Sequence, residues 1–171
     1  MKSILFFLCV FAIATGYGQT DKSKRPSPPA LEKQTLKNGA TVSIDYSQPA
    51  VKGRTIGKDL EPMADQVWRT GANEATVFET DKDIKVEGKE LAAGKYGLFS
   101  LVDSKGEWTI IFNKTWNQWG AFSYKEADDV FRVKAKHKKA DEFAERMTFT
   151  ISKDGEVHLL WGDNDVKFQI K

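Results

Sequence analysis

Cysteine is nearly absent from this chain. The only one, Cys9, sits in an apolar stretch near the start. A mature protein without that stretch has no disulfide, no thiol nucleophile and no cysteine metal ligand. Histidine is scarcely better represented. His137 lies in a lysine-rich run and His158 in a strand pattern, with no metal-ligand spacing between them. A histidine zinc site or a serine–histidine–acid triad would need long-range assembly, so neither metal nor cofactor is expected. An excess of one charge is missing too. The 26 Lys+Arg face 24 Asp+Glu, a balance that gives no reason to expect nucleic acid or an anionic membrane as partner. No apolar run reaches the ~20 residues that a membrane-spanning helix requires.

The longest apolar run, residues 4–14, follows Lys2 and precedes Gly16 and Gly18. A positive start, a short apolar centre and small residues at the end make a secretory leader. Residues 1–18 are therefore expected to be a signal peptide cleaved before Gln19, giving a periplasmic or secreted product. Phe7-Leu8 ahead of Cys9 lacks the small residues that lipoprotein processing needs. The remaining 153 of the 171 residues suit one domain. A chain of that size can bury a core without covalent staples.

Residues 19–30 are polar and carry Pro26, Pro28 and Pro29, so an extended segment, weakly ordered at its start, is expected. A single β domain is expected over 31–171. Asn38-Gly39 between 34–37 and 40–46 is a strong hairpin signal of type I′. Val42, Ile44 and Tyr46 alternate with Thr41, Ser43 and Asp45, the pattern of a half-buried strand. Further strands are expected at 75–80, 84–86, 95–102, 108–113, 130–136, 147–152, 157–161 and 166–170, with turns at 103–106, 154–155 and 162–164. About ten short strands at such spacing predict an all-β fold, an antiparallel β-sandwich or barrel-like arrangement with little helix. The two short segments that could be helical are 61–66 and 139–146, the latter from Phe143 and Met147 at i, i+4 spacing.

Two stretches carry recognition chemistry. In residues 67–76, V-W-R-T-G-A-N-E-A-T, Trp68, Arg69, Asn73 and Glu74 surround Gly71, which permits a backbone turn closed to other residues. Arg69 and Glu74 suit either an internal ion pair or a split polar clamp; a purely structural loop would spend the same groups on one another. In residues 113–124, Trp116, Trp119, Phe122 and Tyr124 accompany Asn113, Asn117 and Gln118. Flat rings beside amides suit a sugar or a peptide, although such rings also serve to cap a core. The run 132–139 looks basic. On a strand, however, Arg132, Lys134 and Lys136 share one face, as on a solvated or lysine-guarded edge.

Several motifs agree in order and spacing with a known family: residues 46–54 (Y-S-Q-P-A-V-K-G-R), 68–76 (W-R-T-G-A-N-E-A-T), 86–89 (V-E-G-K), 93–99 (A-G-K-Y-G-L-F) and Trp119-Gly120. On these the chain resembles the bacterial domain-of-unknown-function family numbered 2911, small exported proteins, from about Arg25 to Lys171. It departs from that pattern at residues 63–66, where relatives tend to carry a tyrosine and a glycine. The resemblance implies a β-rich exported domain and supplies no catalytic residues.

Three functions compete. A binding module for a small polar ligand, saccharide or peptide, would use Arg54, Arg69, Asn73 and Glu74 as its polar set beside Trp68, with Trp119 and Tyr124 as platform. A structural or assembly module of the cell envelope would spend the same groups on its own interior. An envelope glycan hydrolase would use Glu74 as acid or base, with a second carboxylate at roughly 5–9.5 Å.

Overall fold

Alternation decides the architecture. Val42, Ile44 and Tyr46 all turn inward and are buried, while Asp45 between them is exposed, as expected for a strand with one face on a core. The structure, a computed structural model, describes residues 21–171; the expected leader, its cleavage point and Cys9 lie outside the described residues. It contains β1 (Pro29–Thr35), β2 (Thr41–Ser47), β3 (Val67–Trp68), β4 (Val77–Thr80), β5 (Ile84–Val86), β6 (Lys89–Leu91), β7 (Gly94–Val102), β8 (Trp108–Asn113), β9 (Asp129–Lys134), β10 (Lys136–Ile151) and β11 (Glu156–Gln169). The fold is all-β. Among the described residues the helical content is two single 3-10 turns, Lys22–Lys24 and Glu126–Asp128.

One antiparallel sheet runs in the order β1-β2-β4-β7-β8-β9, with β3 added to β7. The long β10–β11 hairpin packs against one face of it. Inward residues of the sheet (Ile44, Phe78, Leu98, Ile110, Phe112) meet Met147, Phe149, Leu159, Trp161 and Phe168 in one core. Edge-on ring pairs join the two layers, Tyr46 with Phe149 at 5.0 Å and Phe112 with Phe168 at 6.2 Å. The β5–β6 hairpin is tied to the last residues by Lys85 N–H to Lys171 O at 2.7 Å and the return bond at 2.9 Å. On the opposite face of the sheet a smaller cluster of Ala75, Phe99 and Ile111 lies under Ala121 and Tyr124, so the aromatic loop roofs that face.

Four local expectations are corrected. The β1–β2 connection is no type I′ turn, since only Gly39 takes a positive φ (81°) and Leu36 N–H reaches Ala40 O at 2.8 Å. That closes a three-residue loop with glycine in the left-handed position. Residues 139–146 are not helical but lie within β10. Two register shifts there, between Lys139 and Ala144 and between Ala144 and Thr148, put extra residues into the strand and break its regular alternation of faces. Met147 is buried, whereas Phe143 is exposed. Residues 61–66 are irregular, with an isolated bridge from Ala64 to Val102 and a turn at Asp65 (φ 59°). The turn expected at 162–164 is also replaced, because β11 runs through it.

β9, carrying Arg132 and Lys134, closes the sheet at one edge. Pairing of the chain begins at Pro29, inside the segment expected to be merely extended.

Candidate functional site

Residues 67–76 fold as a self-braced loop. Trp68 is buried and its indole N–H donates to Gly71 O at 3.1 Å. Thr70 donates to Ser100 Oγ at 3.0 Å, and Thr76 donates to Thr70 O at 2.8 Å. The left-handed positions are Thr70 (φ 51°) and Asn73 (φ 60°), not Gly71. Glycine is needed at 71 for a different reason. A Cβ there would lie 2.9 Å from Thr76 Oγ1 and 3.2 Å from Ser47 O, too close to accommodate without displacing backbone. The loop is also stitched to the aromatic loop, by Ala75 N–H to Gln118 O and Gly120 N–H to Asn73 O, both at 2.9 Å.

This bracing leaves Arg69 unsatisfied. Its side chain makes no hydrogen bond or ion pair among the described residues, and its Nε is buried without a partner. Gly120, at φ 62°, makes room for it: a Cβ there would stand 3.1 Å from an Arg69 guanidinium nitrogen. Burial pushes the Arg69 pKa down, and the nearby Glu61 carboxylate opposes that shift. Arg69 lines a pocket of about 440 Å³ together with Arg54, Asp59, Glu61, Trp68, Asn73 and Trp161. Arg54 enters it held by two backbone carbonyls, Ala50 O at 2.6 Å and Val51 O at 3.1 Å. The indole N–H of Trp161 is spent on Glu61 O at 2.8 Å, which leaves that ring as wall. Two guanidiniums and two carboxylates thus share one concavity.

Residues 27–170 match the family described as Protein of unknown function (DUF2911). The chain belongs to that family. No curated protein and no solved structure matches it. The DUF2911 match takes in the whole of both loops and begins at Ser27, just after Arg25.

Glu74 does not pair with Arg69. Its partners come from the N-terminal segment: Arg25 Nη1 bridges both carboxylate oxygens at 2.8 and 3.1 Å, and Lys22 Nζ reaches Oε1 at 3.0 Å. Burial alone would raise the Glu74 pKa. The hydrogen bonds from Lys22 and Arg25, with one from its own backbone, outweigh that and hold it at about 2. Asn73 is engaged by the same segment, donating to Ser27 O at 3.0 Å. Glu74 therefore faces a second, smaller pocket of about 220 Å³, lined also by Lys22, Arg25, Asp45, Trp116 and Gln118. Trp119 bridges to Glu74 through backbone and lies 5.9 Å beneath the Arg25 guanidinium, more than half exposed.

Tyr124 belongs to neither pocket. Its ring packs edge-on against Phe99 at 5.0 Å, its hydroxyl donates to both Asp129 oxygens at 2.9 and 2.8 Å, and Arg132 donates to that hydroxyl at 2.9 Å. Desolvation and the Asp129 carboxylate push its pKa to about 12. The expected Trp119–Tyr124 platform is thus divided, with Tyr124 capping the rear core. Of the residues picked out from sequence, the fold brings Arg54, Trp68, Arg69 and Asn73 around one pocket and places Glu74 at the next, with Trp119 outside that pocket's lining, beneath Arg25. Sequence reasoning missed Lys22, Arg25, Ser27, Asp45, Glu61 and Trp161. The Lys-x-x-Arg spacing just ahead of the prolines was the one legible signal for the first two. Among the described residues no group of three or more His, Cys, Asp or Glu is placed to hold a metal ion.

Proposed function

We propose that this DUF2911 protein is an exported binding module for a small polar ligand, and that the ligand enters the Arg69 pocket. Its chemistry favours a short peptide or amino-acid zwitterion over a neutral saccharide. Arg54 and Arg69 can take a carboxylate while Asp59 and Glu61 take an ammonium, with the Trp68 and Trp161 rings as apolar wall. The observation that carries the reading is Arg69, a partly buried guanidinium with an orphaned Nε on the wall of an accessible pocket. A partly buried guanidinium without an anionic partner is unfavourable, and a carboxylate bound in the pocket would offset that through charge-assisted hydrogen bonds to the guanidinium. Export rests on the leader-like composition of residues 1–18.

The test is a thermal-shift and calorimetric screen of amino acids and di- to tetrapeptides against wild type, Arg69→Ala and Arg69→Lys. A ligand of this site raises the wild-type melting temperature. Its affinity falls at least tenfold in Arg69→Ala, and Arg69→Lys retains part of it. Unchanged binding in Arg69→Ala rejects the assignment. The envelope-scaffold reading draws on Asn73 and Glu74, both spent on the chain's own N-terminal segment. It differs in expecting Arg69→Ala to destabilise sharply by removing a structural partner. Since Arg69 has no partner to lose, the binding reading expects a change within about 1 kcal/mol. The hydrolase reading loses support at Glu74: held ionised by Lys22 and Arg25 it has no proton to donate to a leaving group, and with both oxygens engaged by those cations it is a weak base as well.

A further inference from the structure

The second pocket already displays how a cation sits in it. Glu74 accepts Arg25 Nη1 on both oxygens and Lys22 on one. The Arg25 guanidinium lies over the Trp119 ring at 5.9 Å, within cation–π range. The chain leading away from Arg25 is read through its backbone. Arg146 donates toward Pro26 O at 3.5 Å, Asn73 to Ser27 O at 3.0 Å and Gln48 N–H to Pro28 O at 2.9 Å. A carboxylate, an indole face and three donors aimed at successive carbonyls form a cradle for a basic turn and the chain that leaves it. Beside the occupant, about 220 Å³ remains open under Asp45, Trp116 and Gln118, and Asp45 has no ion pair among the described residues. The occupant is lightly held. Residues 21–24 are exposed with no buried side chain, and the Lys22 and Glu74 side chains are 59% and 40% accessible. Exposed ion pairs such as Lys22–Glu74 contribute little, which leaves the less accessible Arg25 (23%) as the main anchor of the occupant.

We infer that the Glu74–Trp119 cradle is a docking site for a segment of a partner protein that presents an ammonium and, three residues on, a guanidinium from a single tight turn, and that in the free chain residues 22–27, whose Lys22–Lys24 form such a turn, fill it in cis. The cradle adjoins the Arg69 pocket, sharing Ser27 and Asn73 with it, but its cation-binding groups Glu74 and Trp119 lie outside that pocket and it does not depend on the function proposed there. The DUF2911 match covers Glu74, Asp45 and Trp119 but starts after Lys22 and Arg25, so the cradle lies within the family's region and the cations that fill it lie ahead of it.

A short tether gives the cis segment an effective concentration in the millimolar range, which makes wild type refractory to weak competitors. The probe is the acetylated and amidated peptide Asp-Lys-Ser-Lys-Arg-Pro-Ser, titrated by calorimetry and tryptophan fluorescence. The double variant Lys22→Ala/Arg25→Ala is expected to bind it at least tenfold more tightly than wild type. Adding Glu74→Gln to that variant should weaken binding tenfold or more, as should alanine in place of the peptide's arginine. Adding Arg69→Ala should change nothing. The inference is overturned if the folded double variant ignores the peptide at millimolar concentration, or if Glu74→Gln leaves binding intact. It is equally overturned if both the double variant and Arg25→Ala alone fail to fold, because the segment would then be a structural member and not an exchangeable occupant.

Discussion

Glu74 and Arg69 stand five positions apart on one loop and meet opposite fates. Glu74 is saturated by cations from elsewhere in the chain, and Arg69 is left with a buried, unpartnered Nε. The Glu74 carboxyl, held at about 2 against an ordinary value of 4.5, makes the N-terminal contact pH-dependent. A depressed folded-state pKa stabilises the native form above the unfolded value. That contribution is lost as pH falls from about 4.5 through about 2. Wild type should therefore melt slightly above Glu74→Gln at neutral pH, and the difference should vanish in that acid window. Its size is at most about 1 kcal/mol, because 40% of the side chain is accessible and solvent screens the pair. A melting-temperature gap that persists undiminished at pH 2 contradicts the assignment. The residue types at this loop were legible in the sequence as recognition chemistry. Their partners were not, since Arg25 lies 49 positions before Glu74.

Among the elements, β10 departs furthest from expectation. Its Phe143 and Met147 mimic one face of a helix, yet bulges send them to opposite environments. Helical and bulged-strand spacings coincide over so short a window, and only the pairing with β11 separates them. Two substitutions make the distinction measurable in urea denaturation. Met147→Ala, removing a fully buried side chain, should cost about 2–5 kcal/mol. Phe143→Ala, removing a ring more than half exposed, should cost less than about 1 kcal/mol. A helix burying both residues on one face would make the two losses similar. The Asn38-Gly39 hairpin was legible as a turn, though its type depended on how Leu36 and Ala40 paired.

At the scale of the molecule, the β10–β11 hairpin supplies one wall of the core and the main sheet the other, so neither layer buries its apolar face alone. Unfolding should then be a single cooperative event. Far-UV circular dichroism reports the sheet, and tryptophan fluorescence reports the buried Trp68, Trp108 and Trp161. The two transitions should superimpose in denaturant, with refolding in the millisecond-to-second range typical of non-local β topologies. Separate midpoints would mean that the hairpin melts off a surviving sheet. The same architecture creates both pockets. The first is enclosed by residues 49–73 together with Ser27 and with Trp161 of β11, and the second by the N-terminal segment, β2, residues 74–77 and the aromatic loop.

Period-two alternation, glycine and aspartate punctuation and the scarcity of helical spacing determined that this chain would be all-β, because those signals act between near neighbours. The block from Trp68 to Glu74 likewise marked itself as unusual by composition alone. Which of its polar groups would be consumed internally and which left facing a cavity was decided by the tertiary structure. That outcome depends on charges and carbonyls tens of residues away, brought within 3 Å only when the sheet, the hairpin and the N-terminal segment close around the loop.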